Sequence, residues 1–63
     1  MRFRIRECRE EQSISQQKLA ETSGISRATI SGLECGTITV TTTDTLIKIA
    51  TALGRKVSDI FLD

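Results

Sequence analysis

Histidine, tryptophan, tyrosine and proline are absent from the chain, cysteine occurs twice, and the only aromatic residues are Phe3 and Phe61. Without an imidazole to activate a thiol, nothing resembles a catalytic cysteine. Two thiols, Cys8 and Cys35, cannot by themselves close a four-ligand zinc site, and a cytosolic setting disfavours a disulfide. Cys8 reads as a small core residue and Cys35 as incidental. There is also no phosphate-binding glycine loop and no convincing carboxylate pair, so neither an enzyme nor a metal or cofactor site is expected. No apolar run approaches the ~18 residues of a membrane span, and no signal-peptide core follows the N-terminus. A cytoplasmic protein without membrane attachment is expected.

An excess of charge of either sign is also lacking. The net charge of +1 argues against an overwhelmingly basic nucleic-acid coat. Its distribution is uneven, because Arg2, Arg4, Arg6 and Arg9 crowd the first helical segment while Asp59 and Asp63 lie at the far end. Such a cluster is either a local positive surface that steers DNA or a solvated arginine face. The 63 residues form one expected domain, 1–63, read as a complete small protein with no room for a sensor domain or an apparent small-molecule effector. At about this length folding buries only ~60% of the unfolded surface, which makes oligomerisation a reasonable expectation.

What the chain does contain is one phrase written twice. In ISQQKLAETSGISRATI, Ile14-Ser15 leads to Leu19, and Ile25-Ser26 leads to Ile30. Each serine is an N-cap, accepting from N–H groups the first helical turn leaves unsatisfied, and each preceding isoleucine can staple onto the fourth helical residue. Lys18 and Thr29 stand where a capping box would place Glu or Gln, so the reciprocal half is missing. Gly24 stands where the first of these helices must stop, since glycine takes the left-handed closing conformation without a Cβ clash. A short helix, a tight glycine turn and a second short helix form either a helix-turn-helix or a plain αα-hairpin.

Apolar periodicity places a first helix at Phe3–Gln12 with Ile5 and Cys8 inward, ended by Ser13. The second runs about Gln16–Ser23, burying Leu19 and Ala20, and the third about Arg27–Cys35, with Ile30 and Leu33 inward and Gly36 as its stop. In GTITVTTTD the alternation has the period of a strand, but a lone strand lacks a partner. An extended connection with Ile38, Val40 or both packed down is expected. Thr42 caps a fourth helix, Thr43–Leu53, whose Leu46, Ile49, Ala50 and Leu53 make an inward stripe. The tail supplies a last turn that buries Val57, Ile60 and Phe61. The expected fold is all-α, a compact bundle of five short helices around one aliphatic core.

Arg9, the run LAETSGISRATISGLECG from Leu19 to Gly36, and TLIKIATALG from Thr45 to Gly54 together resemble the Cro/repressor-type helix-turn-helix regulators, the xenobiotic-response-element family. The resemblance covers nearly the whole chain and implies a lambda-repressor-like DNA-binding domain. It implies that the third helix enters the DNA major groove while the second crosses the backbone. Base-reading positions then fall on Arg27, Ala28, Ser31 and Gly32, and a phosphate-contacting position on Gln16. Arg9 and Glu34 fall on a pair that braces two helices. Beside these, Gln17 can bond phosphate through its amide and Lys18 can add a salt-dependent contact.

The chemistry of these residues gives each role a plain counterpart. Arg27 sits in a first helical turn, where the macrodipole disfavours a cation that has no anionic partner. A phosphate or a guanine edge would supply that partner; so would Glu21. Ala28 either touches a thymine methyl or is simply a good helix former. Gly32, read with Ser31 as exposed, costs ~1 kcal/mol against alanine in a helix, which a close approach to DNA backbone or core would explain. Thr37, Thr39 and Thr41 either donate hydroxyls to phosphate or merely favour extended backbone.

Departures from the family's pattern are also legible. The loop TITVT is uncharged, lacks proline and is longer than usual, Cys35 stands where asparagine is frequent, and Lys56 replaces a capping serine. A single copy makes few base contacts, so a homodimer on a pseudo-palindromic operator is expected, with half-sites about 34–36 Å apart. Val57, Ile60 and Phe61 with their neighbours are the expected dimer contact. The main expectation is a transcriptional regulator, a repressor, whose partner is double-stranded DNA. Its rival is a protein-binding module such as an antitoxin or adaptor, kept open by the charge-poor loop.

Overall fold

In the computed structural model, which describes residues 3–60, three hydroxyl side chains start the three longest helices. Ser15 Oγ accepts from the Lys18 N–H at 3.0 Å at the start of α2 (Gln16–Ser23). Ser26 Oγ accepts from the Thr29 N–H at 3.2 Å at the start of α3 (Arg27–Cys35), and Thr42 Oγ1 from the Thr45 N–H at 3.2 Å at the start of α4 (Thr43–Ala52). In the last two helices a second hydroxyl joins the cap. Ser26 donates to Thr29 Oγ1 at 2.8 Å, and Thr42 and Thr45 share a hydrogen bond of 2.9 Å. Threonine at the third helical position thus ties down the cap hydroxyl, whereas a capping-box Glu or Gln would accept from the cap's backbone N–H. Gly24 and Gly36 close α2 and α3 at φ 75° and 86°, a conformation that a Cβ would strain.

The first helix, α1 (Ile5–Glu11), is shorter than the expected Phe3–Gln12. The chain before it is tied elsewhere, because the Arg4 N–H donates to Ile60 O at 2.7 Å and Phe3 lies in an isolated bridge. At the other end Gln12 is the cap, and Ser13 holds φ 56°, the only positive φ outside glycine among the described residues. Left-handed backbone costs a residue with a Cβ ~1–2 kcal/mol, partly offset in glycine by its greater unfolded entropy. Ser13→Gly is therefore expected to stabilise the domain by about 0.5–1 kcal/mol, a rise in Tm of roughly 2–8 °C at this size, read by thermal unfolding. An unchanged or lower Tm would mean that Ser13 is not strained.

The expected fourth helix overran by one residue, since Leu53 is the cap rather than the last helical position. Its carbonyl accepts from Gln12 Nε2 at 2.6 Å, a side-chain cap supplied from 41 residues away. The fifth helix is corrected to a single 3-10 turn, Val57–Ile60. Asp59 Oδ2 accepts from the Lys56 N–H at 3.0 Å, so an acid three residues on replaces the capping serine. Phe61, expected in the core, lies outside the described residues.

These elements form one all-α bundle in which α2 packs on α3 and α4, α4 on the closing turn, and α1 on α3. Ile5, Leu19, Ile30, Ile49, Leu53 and Ile60 are fully buried, each worth about 1.5–3 kcal/mol. Cys8 is buried with them, whereas Cys35 is exposed. Ile14, Ala20, Ile25 and Val57 pack on the edge of the core. Between α3 and α4 the threonine-rich segment forms no strand among the described residues. Ile38 packs down, while Val40 is 86% exposed.

Candidate nucleic-acid interface

Glu34 is the point at which α1, α2 and α3 are fastened together. Its side chain is fully buried, and Arg9 grips it with both edges of the guanidinium, Nε to Oε2 at 2.9 Å and Nη2 to Oε1 at 3.1 Å. Oε1 also accepts from Gln16 Nε2 at 3.1 Å and from Arg6 Nε at 3.3 Å. The third arginine nitrogen, Nη1, donates to Ile14 O at 2.8 Å in the turn before α2. Burial alone pushes the Glu34 carboxyl up. Hydrogen bonds from Arg9 and Gln16, the charge of Arg9 and the bond from Arg6 outweigh it and hold the group below the ordinary carboxylate range. Reciprocally, the bond to Glu34 raises Arg9. A two-pronged, desolvated pair of this kind fixes orientation as well as distance.

The consequence for Gln16 is direct. Expected at a phosphate, its amide N–H instead bonds Glu34, which sets the start of α2 against α3. Gln17, one residue on, is exposed, and its amide makes one long bond of 3.4 Å to Glu21.

The basic cluster of the first helix is largely neutralised. Arg4 pairs with Glu7 at 3.0 Å, and Arg6 and Arg9 share Glu34, while Arg2 lies outside the described residues. Elsewhere Arg55 pairs with Glu11 and Lys48 with Asp44. Among the described residues the cationic side chains with no acidic or hydrogen-bonded partner are Lys18, Arg27 and Lys56. Two of these three lie on α2 and α3. Glu21, the acid expected as a rival partner for Arg27, is engaged with Gln17 instead.

Around α3, Ile30 and Leu33 face the core while Arg27 and Ala28 are exposed, with Ser31 half-buried one turn further along the same face. Gly32 departs from expectation, because it is buried rather than exposed. A Cβ built on it would lie 2.5 Å from Ile38 Cδ1 and 2.7 Å from Cγ1. Its lack of a side chain makes room for a loop residue, and Ile38 also donates its backbone N–H to Gly32 O at 3.0 Å. Position 32 therefore presents no side chain of its own. The costly mid-helix glycine is the signal for a close approach to the core, but periodicity locates the outward face of a helix and not what a following loop lays over it.

A short helix joined by a glycine turn to a second helix packed on it is the helix-turn-helix arrangement. A helix-turn-helix family model matches residues 5–60 of the chain. The chain belongs to the Cro/repressor-type helix-turn-helix family. It is a DNA-binding regulator of that class, and the match spans all four α-helices and the closing turn. Comparison with curated proteins gave no match. No helix of the described residues is long and apolar enough to cross a membrane.

Proposed function

We propose that the chain is a sequence-specific transcriptional repressor of the cytoplasm that binds a pseudo-palindromic operator as a homodimer, with α3 in the major groove. The observation that carries this is Arg27, exposed in the first turn of α3 and unpartnered among the described residues while the arginines of α1 are paired. A guanidinium left free at the positive end of a helix dipole favours an incoming anion or a guanine edge. Arg27, Ala28 and Ser31 are the base readers in this reading. Gln17 and Lys18 on α2 lie along the phosphate backbone, and Gln16 positions α2 through Glu34. Repression is by occupancy, the bound operator being closed to polymerase.

Selection of binding sites from random duplex DNA tests the reading. A two-fold symmetric enriched site supports it. Enrichment of nothing above the non-specific background at low salt removes its support, and a protein partner then becomes the better explanation of the fold.

The dimensions of one copy support the dimer. The longest extent of the backbone is 24 Å, short of the 34–36 Å that separates successive half-sites on one face of DNA, so one copy reads one half-site. Two weak half-site contacts joined in one particle gain avidity without new contacts. Of the residues expected at the contact, Ile60 is fully buried in the core, Val57 is half-buried and Phe61 lies outside the described residues, whereas Ile47 on α4 is 47% exposed. Sedimentation at tens of micromolar, with and without operator DNA, is expected to show a dimer at least on the DNA. A monomer under both conditions sinks the dimer.

A further inference from the structure

Ile38 is a loop residue that occupies a helix position. Its side chain fills the space a side chain at Gly32 would take, and its backbone is pinned there by the bond to Gly32 O. Ala28 and Gly32 are four residues apart, so they lie one above the other on α3. The aliphatic group of Ile38 thus sits one turn below the exposed methyl of Ala28, packed against the core with part of its surface left open. The loop itself carries no charge from Thr37 to Thr43, and Val40 follows almost wholly exposed.

We infer that Ile38 is a specificity-determining residue that reads the 5-methyl group of a pyrimidine, thymine or 5-methylcytosine, in the major groove. It rests on the DNA-binding reading of α3 and extends it, since a methyl group is what an apolar side chain distinguishes on a base edge. Reading along the far half of α3 is done by the loop rather than by the helix. Arg27 supplies a polar contact at the N-terminal end of the same face, and Ala28 and Ile38 supply an apolar step beside it.

The experiment uses the selected operator with deoxyuridine replacing thymine at each enriched position in turn, which deletes only the methyl group. One such replacement lowers wild-type affinity about fourfold, the equivalent of one buried methyl. Ile38→Ala, verified as folded by circular dichroism, loses that sensitivity, while Thr51→Ala, on the exposed face of α4, keeps it. If Ile38→Ala does not fold, Ile38→Val takes its place with a reduced response. A specific operator with no deoxyuridine effect at any position overturns the inference, as does equal sensitivity in wild type and the Ile38 variant. Failure to select any operator is a different result, which overturns the DNA-binding reading beneath it.

Discussion

Glu34→Ala is expected to remove at least a third of the domain's stability, enough to unfold it at 37 °C if that stability is small. Glu34 is the shared acceptor of Arg9, Arg6 and Gln16, and Arg9 is only 13% exposed. Removing the acid strands a desolvated cation, which costs about 3–5 kcal/mol in buried pairs. A 63-residue domain has roughly 3–9 kcal/mol in all. The loss is thus a large part of the stability, unlike that of the exposed pairs Arg4–Glu7 and Arg55–Glu11, which water and salt screen. Because the penalty comes from the orphaned partner, Arg9→Met/Glu34→Leu is expected to recover a large part of it. Urea unfolding of the single and double variants decides the point. A double variant as unstable as Glu34→Ala would mean that the pair itself, and not the stranded charge, holds α1 to α3.

The same network sets the acid limit of the fold. Glu34 has a folded-state pKa below its unfolded value, so its contribution is fully present above the ordinary glutamate pKa near 4.5 and is lost as pH falls through the lower folded value. Unfolding midpoints measured from pH 7 to pH 3 should fall below about pH 4.5, and less steeply in the double variant.

Features set by neighbours in the chain are legible in the sequence. Ser15, Ser26 and Thr42 cap because an N-cap is made within three residues, and Gly24 and Gly36 stop helices because the left-handed conformation is a property of one residue. The pairing of Arg4 with Glu7, three residues apart, is equally within reach of helical spacing. What periodicity and capping patterns miss depends on distant segments. Arg6 loses its free charge to an acid 28 residues away, Arg4 is drawn to the carbonyl of Ile60, and Gly32 is covered by a loop that periodicity cannot place. Gln16 shows both sides. Its position at the start of α2 is readable, yet its amide turns inward because Glu34 offers a buried anion that no local pattern announces.

Arg27→Ala is expected to lower affinity for the selected operator about five- to 150-fold and to abolish its guanine preference, the effect of losing a two-pronged contact worth ~1–3 kcal/mol. The fold should not suffer. Arg27 has no partner among the described residues, and removing a cation from the first turn of a helix relieves the macrodipole by ~0.3–1 kcal/mol. Lost binding therefore cannot be ascribed to unfolding, and a melting curve checks this directly. Lys18→Ala serves as the contrast, because a phosphate contact weakens all sequences alike and reduces the slope of log affinity against log salt by about 0.9. Binding to operator and to unrelated duplex across a salt series separates the two roles. If Arg27→Ala behaves like Lys18→Ala, with a shallower slope and an unchanged ratio of specific to non-specific affinity, Arg27 holds a phosphate and base reading falls to Ala28, Ser31 and the loop. If the ratio collapses while the slope stays, the free guanidinium at the start of α3 is the reader, and the pairing of the α1 arginines explains why a chain of net charge +1 still discriminates among sequences.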